Sequence, residues 1–335
     1  LYTVEAKVPA ALPAMDESLP KNRLGLSQWL FDPKNPLTAR VAVNRYWQMI
    51  FGQGLVGTPN DFGVQGQLPS HPELLDWLAI RFRQNWDVRA LIKEMVLSKT
   101  YQQQSVSNEL LDQKDPNNIL LARANVSRLP AEIIRDNALK VSGLLNPKFG
   151  GESVMPYQPD GLWKEKNNFS TFLYEYEQSA GDDLYRRGLY TFIRRTSPPP
   201  NMMTFDATSR EVCTVKRDVT STPLQALVLL NDPQFFEASR VFAERMIKNK
   251  DRLEDQIRFG FRLATSRYPK QEELEILVDL YNNQYDFFRK NRDKAYQIIS
   301  VGEKPRDKNI YSVKTAAMTM VANTLLNHNE TYTRR

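Results

Sequence analysis

The chain has 335 residues, 41% of them hydrophobic and 25% charged, with a net charge of +6. This is an ordinary globular mixture with enough apolar material for a core, and it contains no run of about 18 apolar residues that would span a membrane. Lys and Arg are interspersed with Asp and Glu instead of forming a patch or tail, which argues against nucleic acid as a partner, and a single cysteine excludes an internal disulfide.

Residues 1–22, punctuated by Pro9, Pro13 and Pro20, read as the tail of a linker within a longer protein. They lack the basic start and apolar run of a secretion signal. Asn35-Pro36 opens the first strong helix, since Asn caps orphan amides and Pro suits the first turn. Val43, Trp47, Ile50 and Phe51 then share one face, and Gly52 supplies the stop. The Gly- and Pro-rich "GLVGTPNDFGVQGQLP" follows as a loop. Ser70 and Glu73 match a capping box ahead of Leu74, Leu75, Leu78 and Phe82. Val88, Leu91, Ile92, Met95 and Val96 mark a further helix, and Leu129, Ile133, Ile134, Ala138, Val141 and Leu145 a fourth.

From residue 146 to 220 helical periodicity fades and Gly, Pro, Tyr and Phe dominate. "RGLYTFIRR" alternates Leu189, Thr191 and Ile193 against Tyr190, Phe192 and Arg194, a strand pattern, and "SPPP" at 197–200 breaks regular structure. Helices return at Thr222, where Thr222 and Gln225 match a second capping box with Pro223 at the first position. Asp232 caps the next helix, which carries Phe235, Ala238, Val241, Phe242 and Met246. Leu253, Ile257, Phe261 and Ala264 follow, then the long stripe from Leu274 to Phe288, and last Val313, Ala317, Met320 and Val321. The expected fold is mainly α: a multi-helix domain with a loop-rich central insertion able to hold a small β-sheet. Its parts are the linker tail 1–22, helices in 23–145, the insertion 146–220, and helices in 221–335 that pack with 23–145 as one domain.

Chemistry is sparsely declared. A catalytic cysteine needs a base, and the only histidines are His71 and His328, neither in a recognisable frame. Cys213 therefore reads as a small buried residue, and a Cys/His metal site lacks ligands. "DFG" at 61–63 stands without the rest of a kinase signature. No C-x-x-C-H occurs, so this chain attaches no c-type haem. Loop carboxylates remain: Asp61, Asp206 and Glu211 are the catalytic candidates, as an acid–base pair across a cleft, against the plainer expectation that loop carboxylates cap helices and pair with arginines. Arg194, Arg210 and Arg217, with Trp163 and Tyr190, are the ligand-binding candidates. Forked guanidinium groups suit anionic groups, and rings beside them suit sugar stacking or simply glue the insertion down.

The order of four segments is itself informative: "NPLTARVAVNRYWQMIFGQGLVGTPNDFGVQGQLPSHPELLDWLA", "RLPAEIIRDNALKVSGLLN", "YRRGLYTFIRRTSPPPNMMTFDATSREVC" and "TSTPLQALVLLNDPQF". Together they resemble the planctomycete-specific domain one family, over about residues 24–333. The resemblance implies a C-terminal domain of unknown function in an exported, periplasmic or cell-surface multidomain protein. It also implies a cytochrome-type domain upstream bearing haem c, with no cofactor in this chain, and a setting in polysaccharide use. It carries over no catalytic residue. "LLNHNETYTRR" departs from the N-L-D-E-like ending expected of the family, which sets His328 and Asn329 aside. Three functions follow as expectations: a non-catalytic module for ligand binding or assembly, an enzyme on polysaccharides or their fragments, and a docking surface for another exported protein. The expected partners are the upstream domain and a glycan, without nucleic acid or a membrane span.

Overall fold

The computed structural model describes residues 7–164 and 175–334. Fourteen α-helices and one two-stranded sheet occur among the described residues, a mainly α fold. The chain divides into two compact units between Val126 and Ser127.

The first unit opens with α1 (Arg23–Leu30), whose Asn22 cap accepts hydrogen bonds from the amides of Leu24 and Gly25. The stretch before it is packed down: the buried Trp29 donates its indole N–H to the Pro13 carbonyl at 2.8 Å. Helix α2 (Leu37–Phe51) begins where Asn35 Oδ1 accepts from the Leu37 amide and ends at Gly52, with φ of 86°. Helices α3 (Pro72–Arg83) and α4 (Val88–Leu97) pack on α2 around Val43, Trp47, Phe51, Leu75, Phe82 and Met95. The buried Asn44 exchanges two hydrogen bonds with the backbone of Val56, tying the loop after α2 back onto it. Helix α5 (Glu109–Lys114) completes the unit. The expected capping box at Ser70 and Glu73 does not form. Pro72 fixes the start of α3 one residue too late for it, and Ser70 Oγ bonds to His71 Nδ1 instead.

The second unit begins with β1 (Ser127–Arg128) and α6 (Ala131–Ser142), so the boundary falls at 126/127 and not near 145. Then come α7 (Pro200–Thr204), α8 (Pro223–Asn231), α9 (Pro233–Asn249), α10 (Leu253–Thr265), α11 (Gln271–Lys290), α12 (Arg292–Ile299), α13 (Ser312–Leu326), α14 (Asn329–Tyr332) and β2 (Thr333–Arg334). Nearly all of α13 is buried, with α9, α10, α11 and α12 around it. Its apolar residues run right round the helix, as a central helix requires. Ala316, Ala317 and Ala322 let the neighbours approach, and its polar Asn323 is satisfied by the Leu229 carbonyl and by Ser239 Oγ.

The only sheet among the described residues pairs β1 with β2 antiparallel, Ser127 opposite Arg334, outside the insertion. The strand expected at 187–195 is absent. Residues Gly188–Tyr190 form a 3₁₀ turn, and the described part of the insertion makes only single bridges, Asn146 to Arg186 and Val154 to Thr191. Nor does "SPPP" exclude a helix. Pro200 opens α7, because its fixed φ suits a first turn.

Candidate functional site

The loop that follows α7 carries most of the candidate residues, and its base is a polar staple. Arg128, at the end of β1, reaches the Asp206 carboxylate at 2.5 Å, the Phe205 carbonyl at 3.1 Å and the Thr220 carbonyl at 3.1 Å. Asp206 in turn accepts from the Thr220 amide at 2.9 Å and from its hydroxyl at 2.8 Å. Gln225, at the start of α8, donates to the Thr204 carbonyl and the Thr220 hydroxyl, closing the ring. Burial acts to raise the Asp206 carboxyl, but the Thr220 and Arg128 donors outweigh it and hold it below the usual carboxylate range. Asp206 sits at φ of 57°, a left-handed conformation that Asp tolerates better than most residues.

Beyond the staple, residues 210–224 are exposed without a break. Arg217 turns back and grips Glu132 of α6 with both guanidinium arms, at 2.7 and 3.2 Å. Burial pushes the Glu132 carboxyl up, and this fork overrides it to leave the group lowered. Arg210 and Glu211 project from the exposed stretch, and neither makes a side-chain hydrogen bond or ion pair among the described residues. Cys213 is exposed there as well. It is not the packed residue its type suggests, because the loop carrying it stands off the core.

The other candidates lie elsewhere. Asp61 belongs to the first unit, where its carboxylate accepts from the Gly63 amide at 2.7 Å inside a tight turn. Trp163 is buried at 2% exposure, edge-on to Tyr176, with the Arg194 guanidinium 5.1 Å from its ring. Tyr190 is half-buried; its hydroxyl accepts from the Gly150 amide at 2.8 Å and its ring carries the Arg186 guanidinium at 3.9 Å. Of the insertion's other rings, Tyr185 is buried, and Phe169 and Tyr174 fall outside the described residues. The structure therefore joins Asp206 and Arg217 to α6 and its flank, leaves Glu211 and Arg210 at the loop tip, and seats Trp163, Arg194 and Tyr190 in the insertion's own packing.

Two buried clusters have no counterpart among the expected residues. Arg135 of α6 donates to Gln234 Oε1 at 2.6 Å, to the Arg186 carbonyl at 2.6 Å and to the Leu184 carbonyl at 2.8 Å. Burial lowers its guanidinium to about 10, against the raising effect of Asp136. Arg186 likewise donates to the carbonyls of Glu152 and Gly150. Arginines thus satisfy the carbonyls of an irregular buried backbone that no sheet satisfies. In the second cluster Glu237, Arg240 and Glu244 line one face of α9. Glu237 accepts from the hydroxyls of Tyr185 and Tyr157 and from the Lys304 amide, while Arg240 bonds Glu244 and the Lys304 carbonyl. The one signal for these residues was position: Arg135 interrupts an apolar stripe, and Glu237, Arg240 and Glu244 share a helical face at spacings of three and four.

A family model described as PSD1, protein of unknown function (DUF1553), matches residues 22–281, well over half of the chain. The protein belongs to the PSD1 family. This is the family its segment order resembles. No curated protein and no solved structure matches the chain. In this PSD1 chain no helix among the described residues is long and apolar enough to cross a membrane, and no group of three or more His, Cys, Asp or Glu among them is arranged to hold a metal ion.

Proposed function

We propose that this PSD1 chain is a non-catalytic helical module of an exported multidomain protein, and that it serves in assembly. The observation that carries this reading is the continuous exposure of residues 210–224 above a fixed base. Val212, Val215 and Val219 face solvent on a loop whose ends are locked by Asp206 and by Arg217. Apolar side chains held outward on an anchored loop suit recognition by another protein surface. The interspersed Arg210, Glu211, Lys216 and Asp218 supply charge that selects the partner. The partner we favour is another domain of the same exported protein, with the upstream haem-c-bearing, cytochrome-type domain as the first candidate in a periplasmic or cell-surface setting.

The alternative, an enzyme acting on polysaccharides through loop carboxylates, is weakened because Asp206 is consumed by the staple. That reading now rests on Glu211, since Asp61 belongs to the first unit. Photo-cross-linking from position 212 in the full-length protein separates the two. Assembly gives cross-links that map to one defined surface of another domain or exported protein, and they disappear when Val215 and Val219 are changed to Asp. Absence of any such product, together with glycan hydrolysis abolished by Glu211→Gln, would replace assembly by catalysis.

A further inference from the structure

The first unit holds a cavity of about 300 Å³ between the end of α2, the 53–70 loop and the 118–125 loop. That volume lies at the lower end of small-molecule sites. Its floor is apolar, made by the buried Trp47 and Leu55. No charged side chain lines it, in a chain where a quarter of the residues are charged.

The polar groups around it fall into two kinds. Asn118, Asn125 and Ser70 are already used, Ser70 by the His71 ring. Asn118 donates to Asn125 Oδ1 and to the Arg123 carbonyl, and Asn125 donates to the Phe51 carbonyl, so this wall is rigid. Gln53 and Gln67 differ: neither carboxamide makes a hydrogen bond within the described residues. Both lie over Gly57, where an added Cβ would stand 2.1 Å from Gln67 Oε1 and 3.7 Å from Gln53 Nε2. Thr58 places Gln67 there, its hydroxyl accepting from the Gln67 amide and donating to the Asp61 carbonyl.

The far wall is strained. Leu121 and Asn118 both hold positive φ, 56° and 51°. For a bulky Leu this is a true outlier. The surroundings enforce it: Asp115 accepts from the amides of Ile119 and Leu120 at 2.8 Å each, and Gln103 donates to the Leu121 carbonyl. Strain of this kind gathers at binding sites.

We infer that this cavity binds a small uncharged ring bearing an amide edge. Two neighbouring carboxamides, free to rotate, offer a donor and an acceptor side by side, which an amide meets reciprocally. The apolar floor takes the ring face, and the absence of any counter-charge disfavours an ion that must shed its water to enter. A cyclic amide and an acetamido sugar share this chemistry. The inference stands apart from the assembly reading, which concerns the other unit.

The test is titration of the protein, followed by amide NMR shifts, with two matched pairs of probes: uracil against orotate, and N-acetylglucosamine against glucosamine. The expected result is saturable binding of at least one neutral probe, with a Kd of about 1 mM or tighter. Its charged partner should bind roughly tenfold more weakly or worse. Which neutral probe binds tells the cyclic amide from the acetamido edge. Gln53→Leu and Gln67→Leu should each weaken binding roughly three- to tenfold. Gly57→Ala should also weaken it by displacing the Gln67 carboxamide. Gln53 and Gln67 are exposed and a Cβ at Gly57 first meets the ends of their side chains, and an unchanged unfolding midpoint confirms that each variant is folded. Failure of both neutral probes to saturate, equal binding of the charged partners, or a Kd indifferent to both Gln variants would overturn the assignment.

Discussion

Tyr185 donates its hydroxyl to Glu237 Oε1 at 2.9 Å, across 52 residues of sequence and wholly inside the second unit. The same oxygen accepts from the Lys304 amide at 2.6 Å, and Gly302 passes so close that an added Cβ would stand 2.2 Å from the Glu237 carboxyl carbon. One buried carboxylate therefore holds the insertion and the 302–307 segment to α9. Removing it leaves the fully buried Arg240 with Glu244 alone as counter-charge and strips the Tyr185, Tyr157 and Lys304 donors of their acceptor. With three donors left unsatisfied, Glu237→Ala should destabilise the fold by about 3–5 kcal/mol in urea unfolding. Gly302→Ala adds a Cβ both at a positive φ of 88° and into that carboxylate, and should cost about 1–3 kcal/mol. Because the two residues touch, the double variant should be non-additive by at least about 0.5 kcal/mol. Simple additivity would show that the 302–307 segment does not depend on Glu237.

Asp206 does comparable work for the exposed loop. Asp206→Ala strands a nearly buried Arg128 and leaves Thr220 without its acceptor. The expected loss is about 2–3 kcal/mol with an unchanged m-value. Residues 208–219 should also become the first site of limited proteolysis, as a loop released at its base is. Glu211→Ala, at the tip of the same loop, should stay within about 0.5 kcal/mol of the native protein. Equal effects of the two changes would contradict the division between a structural and a free carboxylate.

Much of this architecture is legible in the chain, for local reasons. Gly52 ends α2 and Asp232 caps α9 because those signals act on neighbouring amides. Where an element depends on distant partners, local patterns mislead. The alternation of Leu189, Thr191 and Ile193 has the period of a strand, yet among the described residues it meets only the single bridge from Val154 and no strand pairs with it. Asp136 captures the Gly188 amide at 2.6 Å, and Arg135 takes the Leu184 and Arg186 carbonyls, so the backbone turns instead. Helices α1, α5 and α12 have 8, 6 and 8 residues, too short to show a stripe, although Asn22 and Asn108 announce the first two. The site candidates divided in the same way. The carboxylate-arginine pairing expected of loops was real at Asp206 and Arg217, but their partners, Arg128 and Glu132, sit 78 and 85 residues away. No spacing rule reaches that far.

Cys213 offers a direct check on the loop's exposure. It is the only cysteine in the chain and is exposed in the native fold. Its reaction with a thiol reagent such as Ellman's should proceed without denaturant, at a rate close to that of the unfolded chain. Cys213→Ser should change stability by less than about 0.5 kcal/mol. A thiol protected until global unfolding would mean that the loop is covered, and the assembly reading would lose its surface.

The response to acid should be dominated by one three-residue cluster. Arg267, at the turn between α10 and α11, grips Glu273 at 2.7 Å and 2.8 Å and Glu330 of α14 at 2.7 and 3.0 Å. The Arg267 hydrogen bonds, opposed by some desolvation and helped by the Lys270 amide, lower the Glu273 carboxyl to about 2. An unfolded Glu titrates near 4.3. Between those values the unfolded chain takes up a proton that the folded chain refuses, so stability falls as the pH falls. The contribution of Glu273 is thus complete above about pH 5 and is lost progressively down to about pH 2. In Glu273→Gln the stability should be lower at pH 7, and the decline between pH 5 and pH 2 should be shallower than in the native protein. The effect should shrink in 1 M salt, since these side chains keep partial solvent exposure. Parallel pH profiles for the two proteins would show that the Arg267 cluster contributes nothing to acid sensitivity, and would move the cause to the more deeply buried Glu132 and Asp206, whose carboxyls are also lowered.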